Sequence, residues 1–159
     1  MLKHLPTRPR LATQGSNVIS IVASSYNEEL VEPMVERTVR EIHLIDPSAK
    51  TEVVRTPGSF EIPFLAAQVI RRRKPDAVIC LGVILRGETS HADIIAASVS
   101  DNLCRLSVET NTPVVHGVLL LNDEAQAQER CLGEEFNRGT EAARTAIEII
   151  RESRGIVSR

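Results

Sequence analysis

Residues 77–93 read AVICLGVILRGETSHAD: an apolar run from Ala77 to Leu85, then Arg86-Gly87-Glu88-Thr89-Ser90, then His91-Ala92-Asp93. A short apolar run without alternation is the pattern of a strand buried on both faces. Beyond the junction, Ala92, Ile95, Ala96, Val99, Leu103 and Leu106 recur at helical spacing, which predicts a helix from Ser90 to Glu109. A doubly buried strand that runs straight into a helix is the building block of a parallel sheet.

The same alternation extends in both directions. Asn17 to Ser24 is β-branched and reads as a strand. Glu29 to Leu44 is helical, with Val31, Met34, Val35, Thr38, Val39 and Ile42 at three- and four-residue spacing and Pro33 in the tolerant first turn. Thr51 to Thr56 is a second strand, stopped by Pro57-Gly58. Pro63 opens a helix over 63–73 whose end, Arg71-Arg72-Arg73-Lys74, places cations at a helix C-terminus. Ala77 to Leu81 is the third strand and Val114 to Leu120 the fourth. Asp123 caps a short helix to Leu132, and Asn137 caps a last helix to about Ser153. The order β-α-β-α-β-α-β-α-α predicts a flavodoxin-like three-layer α/β/α sandwich with a four-stranded parallel sheet. Residues 1–16, with Pro6, Pro9 and Gly15, read as a flexible N-terminal arm; residues 17–159 read as one domain.

Composition narrows the function. At 159 residues and net charge -2, the chain offers no field for nucleic acid or an anionic membrane. One Tyr, three Phe and no Trp are too few for a platform that stacks single-stranded bases. No apolar run approaches the roughly 20 residues of a membrane span, and Met1 to Gly15 lacks the apolar region of a secretory signal. Cys80, Cys104 and Cys131 show no metal-ligand spacing and read as reduced thiols of a cytoplasmic protein.

In a parallel α/β sheet, ligands bind beyond the carboxyl ends of the strands. The residues with chemistry to offer collect there. Tyr26 and Asn27 follow the first strand, Ser59, Phe60 and Glu61 the second, and Gly87 to His91 the third. Backbone N–H groups at a helix start bind anions, and a histidine one turn away moves protons near neutral pH. An aromatic face beside polar groups suits a planar heterocycle with a polyol arm. Each residue also has a packing or capping reading: Tyr26 and Phe60 as packing rings, Glu61 as partner of a helix dipole, and His91 as a surface histidine. Asp93 reads as a local cap or as acceptor for a neighbouring side chain. His4 and His43 carry no catalytic expectation. His116, at the start of the fourth strand, and Arg130, beyond its end, do not fit this edge; if they serve a site, it belongs to a neighbouring subunit.

Six pieces then fall into a known order and spacing: Tyr26-Asn27, Pro57 to Pro63, Leu81 to Asp93, Pro113 to Leu119, Glu124 to Arg130, and Asn137 to Ala143. Together they resemble the 6,7-dimethyl-8-ribityllumazine synthase family, from about Asn17 to Ile150. The resemblance implies condensation of 5-amino-6-(D-ribitylamino)uracil with 3,4-dihydroxy-2-butanone 4-phosphate, releasing phosphate and water, without metal or organic cofactor. It implies that Tyr26 stacks on the pyrimidine, that Asn27 and Glu61 hold ribityl hydroxyls, and that Ser59 and Phe60 offer backbone groups. Val83, Ile84 and Leu85 would read the uracil edge through their backbone. Glu88 and Thr89 would bind the phosphate, and His91 would shuttle protons. His116 and Arg130 would come from the adjacent subunit, to the heterocycle and the phosphate, and Arg138 would add positive potential.

Departures from the family pattern are Tyr26 for the commoner Phe, His116 where Phe is frequent, Glu88 where small residues are usual, and Arg138 where Lys is often found. The segment Cys131 to Asn137 lacks the Gly-rich, Lys-containing turn of shell-forming members, so the expected assembly is a pentamer or pentamer-based, with active sites between subunits. An archaeal-type riboflavin synthase and a non-catalytic flavin- or lumazine-binding protein are the alternatives on the same fold. The Arg-Gly-x-Thr-x-His spacing disfavours the first, and Thr89, His91 and Arg130 together disfavour the second.

Overall fold

The computed structural model describes residues 4–10, 16–134 and 136–157. Residues 1–3 and 11–15 of the expected arm, Glu135 in the 131–137 segment, and 158–159 lie outside the described residues. In chain order the elements are β1 (Val18–Ser24), α1 (Glu28–Ile45), β2 (Lys50–Thr56), a 3₁₀ turn (Ser59–Glu61), α2 (Ile62–Arg73), β3 (Ala77–Leu85), α3 (His91–Thr110), β4 (Val114–Leu121), α4 (Glu124–Ala127), a π turn (Gln128–Leu132) and α5 (Arg138–Val157).

The sheet runs β2-β1-β3-β4, and every pairing is parallel. Side chains alternate along each strand, so the inner strands feed two cores. Ile19, Ile21 and Ala23 of β1 and Ile79, Leu81 and Val83 of β3 pack with α1 and α5. Val22, Val78 and Cys80 pack with α2 and α3 on the other face. This is the expected three-layer sandwich. No helix among the described residues is long and apolar enough to cross a membrane.

The two helices on the first face cross backbone to backbone. A Cβ at Gly139 would stand 2.0 Å from the Met34 carbonyl oxygen. The Thr38 hydroxyl bridges the crossing, 2.8 Å from the Met34 carbonyl and 3.0 Å from that of Gly139. One turn along α1, the buried Glu41 carboxylate accepts from Arg8 Nε at 2.7 Å and Arg144 Nε at 2.8 Å. Burial works against the Glu41 charge, but the Arg8 and Arg144 hydrogen bonds outweigh it and hold the carboxyl below its usual range. Arg144 also donates to the Pro6 carbonyl at 2.5 Å, so residues 6–8 lie against α1 and α5.

The segment read as one helix over 123–132 is two pieces. Asp123 does cap it, accepting from the Gln126 N–H at 2.9 Å. After Ala127 the ladder widens to π spacing, and the Gly133 N–H reaches the Gln128 carbonyl at 2.9 Å. Asn137 then has two tasks. Its Oδ1 accepts from the Gly139 N–H at 2.9 Å, capping α5, and its Nδ2 donates to the Cys131 carbonyl at 2.6 Å, closing the π turn. The last helix continues to Val157, past the expected end near Ser153.

Two outcomes follow from this packing. Gly139→Ala forces a backbone shift at the α1–α5 crossing and is expected to cost about 1–3 kcal/mol in denaturant unfolding. Gly155→Ala, with nothing within 4 Å of the new Cβ, is expected to be neutral or slightly stabilising. Burial pushes the Cys80 thiol up, and pushes Cys131 up to about 11, whereas Cys104 is exposed. A thiol reagent should therefore label Cys104 rapidly in the native protein, and Cys80 and Cys131 only on unfolding.

Candidate active site

The parallel sheet delivers three loops to its carboxyl edge, and backbone hydrogen bonds sew them together. The Ser25 N–H donates to the Thr56 carbonyl at 2.8 Å and the Tyr26 N–H to the Pro57 carbonyl at 2.9 Å, which extends the β1–β2 ladder past the strand ends. Asn27 ends that loop with φ 59°, a left-handed conformation that Asn tolerates better than most side chains. Its carbonyl starts α1, and its Nδ2 donates to the Val83 carbonyl at 2.9 Å. The first loop is thus fixed to β3, the strand that carries the third loop.

The second loop is closed by its own side chains. Glu61 Oε2 accepts from the Gly58 N–H at 3.0 Å, and the Thr56 hydroxyl donates to the Gly58 carbonyl at 2.9 Å. Ser59 is buried over β3, where a Cβ at Gly82 would stand 2.6 Å from its Oγ; only glycine lets the loop approach so closely. The rings at this edge are open: Tyr26 is 73% and Phe60 55% exposed. Of the β3 end, Val83 is buried, Ile84 half-buried and Leu85 exposed.

The third loop, Arg86 to Ser90, rises to the start of α3. Glu88, Thr89 and His91 are exposed, and His91 is the first helical residue. The His91 N–H lies 3.5 Å from Thr89 Oγ1. Arg86 is a residue the sequence reading left without a task. Its N–H donates to the Leu121 carbonyl at 2.9 Å, and its guanidinium holds Asp93 and Asn122. The signal lay in the seven-residue step from Arg86 to Asp93 across a helix start, where a long cation can reach back onto the first turn.

His116 and Arg138 stand apart from this edge. His116 is the third residue of β4, paired with Cys80 in mid-sheet. Its ring turns toward α3, with Nε2 2.7 Å from Ser100 Oγ. The Ser100 hydroxyl also lies 2.8 Å from the Ala96 carbonyl, an acceptor for its proton that would leave its oxygen to the imidazole. Arg138 donates to the His116 carbonyl and to Glu141, both at 2.5 Å, and its buried Nε has no partner among the described residues. His116 and Arg138 border one cavity of about 400 Å³ with Ser107, Val114 and Glu141. Arg130 lies on the π turn, half-buried, and forms no hydrogen bond or ion pair among the described residues. Among those residues, no three His, Cys, Asp or Glu side chains are grouped to hold a metal ion.

Residues 17–154, which include all of these side chains, match the family model of 6,7-dimethyl-8-ribityllumazine synthase. The chain belongs to that family. The lumazine synthase of Cytophaga hutchinsonii is 38% identical over 141 residues, covering 87% of this chain and 88% of that one. That of Thermus thermophilus is 36% identical over 145 residues, covering 90% and 91%. That of Protochlamydia amoebophila is 39% identical over 133 residues, covering 83% and 77%. The lumazine synthase fold therefore accounts for the whole three-layer sandwich, and the chain is a transferase of this family.

His116 supplies a pH-dependent stability. Burial lowers its pKa from 6.5; its own backbone opposes this in part, and the Arg138 charge adds a smaller lowering. A histidine depressed in the folded state contributes stability that is present above 6.5 and lost as the pH falls through the lower, folded value. His116→Phe should flatten that part of the curve of unfolding free energy against pH, measured by denaturant titration, and leave the neutral-pH portion with a smaller change in slope.

Proposed function

We propose that this chain condenses 5-amino-6-(D-ribitylamino)uracil with 3,4-dihydroxy-2-butanone 4-phosphate to 6,7-dimethyl-8-ribityllumazine, releasing phosphate and water. The observation that carries the reading is the convergence at one sheet edge of an open aromatic face, a fixed amide, a carboxylate, the start of α3 and His91, in a chain of the lumazine synthase family.

Each group has a task in that chemistry. The Tyr26 ring stacks on the pyrimidine. Asn27 Oδ1 and Glu61 face the ribityl hydroxyls, with backbone groups of Ser59 and Phe60 beside them. Backbone groups of Val83, Ile84 and Leu85 read the uracil edge. The N–H groups of Glu88 and Thr89, with the Thr89 hydroxyl, receive the phosphate at the positive end of α3. The substrate amine attacks the ketone and water leaves as an imine forms; inorganic phosphate is then eliminated, the resulting enol becomes a carbonyl, and the ribitylamino nitrogen closes the ring on it with loss of a second water. Each step moves a proton, and His91 takes and returns it. Holding both substrates in register supplies a further share of the rate.

Arg130 and His116 complete the site of an adjacent subunit, the guanidinium pairing with the phosphate and the imidazole packing on the heterocycle, with Arg138 adding positive potential. The free guanidinium of Arg130 supports this reading, as do the exposed rings of Tyr26 and Phe60, which one subunit leaves uncovered. The assembly is a pentamer or built from pentamers. The enzyme works in the cytoplasm, and residues 1–16 act as an arm to the domain.

Purified protein mixed with both substrates should form lumazine, followed by absorbance, faster than the uncatalysed mixture. His91→Ala is expected to lower kcat by about 10²-fold. Arg130→Ala is expected to raise KM for the phosphorylated substrate by about tenfold or more. No acceleration by the wild type, with tight binding of flavin or lumazine, would replace the enzyme with a binding protein.

A further inference from the structure

Two carboxylates flank the proposed phosphate site: Glu88 within the loop and Asp93 in the first turn of α3. A negative side chain in a first helical turn satisfies the same positive helix end that a bound phosphate would use. Asp93 is also only two residues beyond His91. An unpaired Asp93 would thus repel the phosphorylated substrate from the point where it must bind.

Arg86 occupies that carboxylate. Its Nη2 donates to Asp93 Oδ1 at 2.5 Å, and its Nε lies 3.1 Å from Oδ1 and 3.4 Å from Oδ2. A guanidinium engages a carboxylate through such a fork, which an ammonium cannot reproduce. The cation is braced on two other sides. Its Nη1 donates to Asn122 Oδ1, and its own N–H donates to the Leu121 carbonyl at 2.9 Å. The corner that carries Asn122 is itself ordered, since the Asn122 N–H donates to Gln126 Oε1 at 3.0 Å and Asp123 caps α4. The hydrogen bond from Arg86 holds the Asp93 carboxyl below its usual range. An isolated exposed pair contributes little; one fixed by a third side chain and a backbone bond has less freedom to lose.

We propose that Arg86 is a positioning residue for the phosphate end of the site: it neutralises Asp93, turning that carboxylate away from the incoming phosphate, and it ties the 86–90 loop to the β4–α4 corner. The inference rests on the reading of Gly87 to Thr89 as the phosphate-binding loop. Arg86 itself touches no substrate. Its charge serves Asp93.

A charge-rescue experiment tests this. Inorganic phosphate is the probe, read as inhibition against the phosphorylated substrate at low ionic strength, beside kcat and both KM values. Arg86→Ala should weaken phosphate binding and raise KM for the phosphorylated substrate by about two- to fivefold, the effect of one uncompensated charge near a helix end, with KM for the pyrimidine changing less. Arg86→Ala with Asp93→Ala should return both to near wild type, because the pair is removed together. Arg86→Lys should rescue only in part. A double variant no better than Arg86→Ala would overturn the proposal and leave Arg86 a structural brace. If Arg86→Ala fails to fold, Asp93→Ala alone decides: it frees a cation and should tighten phosphate, and weaker binding overturns the proposal. If the wild type binds phosphate but condenses nothing, the proposed reaction fails while the charge rescue on phosphate remains measurable.

Discussion

Burial of β1 and β3 on both faces is the constraint on which the rest of the molecule depends. Neither strand has a side open to solvent, so helices must cover both, and parallel pairing makes every connection a crossover that returns to the same end. The loops where the chain leaves the sheet at its carboxyl edge are then free to carry exposed polar residues. Fully burying a Leu, Ile or Val side chain contributes roughly 1.5–3 kcal/mol, and Ile19, Ile21, Val22, Val78, Ile79, Leu81 and Val83 are all buried here. A single hydrogen bond such as Asn27 to Val83 contributes about 1 kcal/mol net. The core therefore holds the strands, and the loop hydrogen bonds do no more than aim what the strands deliver. That division lets the edge carry exposed rings and carboxylates without endangering the fold.

The two faces of the sheet divide the labour. The α1–α5 face is the tighter, with backbones meeting at Gly139 and a buried carboxylate clamped between Arg8 and Arg144. The α2–α3 face carries the groups of the proposed chemistry, since α3 begins at His91 and, further along, presents Ser100 to His116. One rigid helix thereby spans the carboxyl edge of its own sheet and the ring that, in the proposed assembly, belongs to the next site. Displacing α3 would disturb both.

What was legible in the sequence follows the range of the forces involved. Strands and helices are written in local period, so Ala77 to Leu85 and the run after Ser90 give the layer order and the parallel sheet without any partner being known. The three loops of the site follow from that order. The π turn was not legible, since its spacing arises from the reach of Gly133 back to Gln128 and from Asn137, which both caps α5 and bonds Cys131. Nor was the task of Arg138: its grip on the His116 carbonyl joins residues distant in sequence through sheet geometry alone. Arg86 stood in plain view within a recognised stretch, yet its engagement with Asn122 requires β4 to end beside β3, which is a fact of register.

The same register bears on why one subunit would be insufficient. β4 is an edge strand whose outer side is not paired within the described residues, and His116 and Arg138 border a cavity there rather than at the carboxyl edge. A substrate lying on Tyr26 would have protein on one face only, and a phosphate at Thr89 would have N–H groups but no full positive charge devoted to it, since Arg86 is engaged by Asp93. The missing components are a second wall and a free cation. In the proposed assembly the neighbouring subunit supplies both, from its His116 and Arg130. In that proposed assembly, rotation of identical subunits would give each site what its neighbour holds, and a closed ring of such contacts would leave no site half-built.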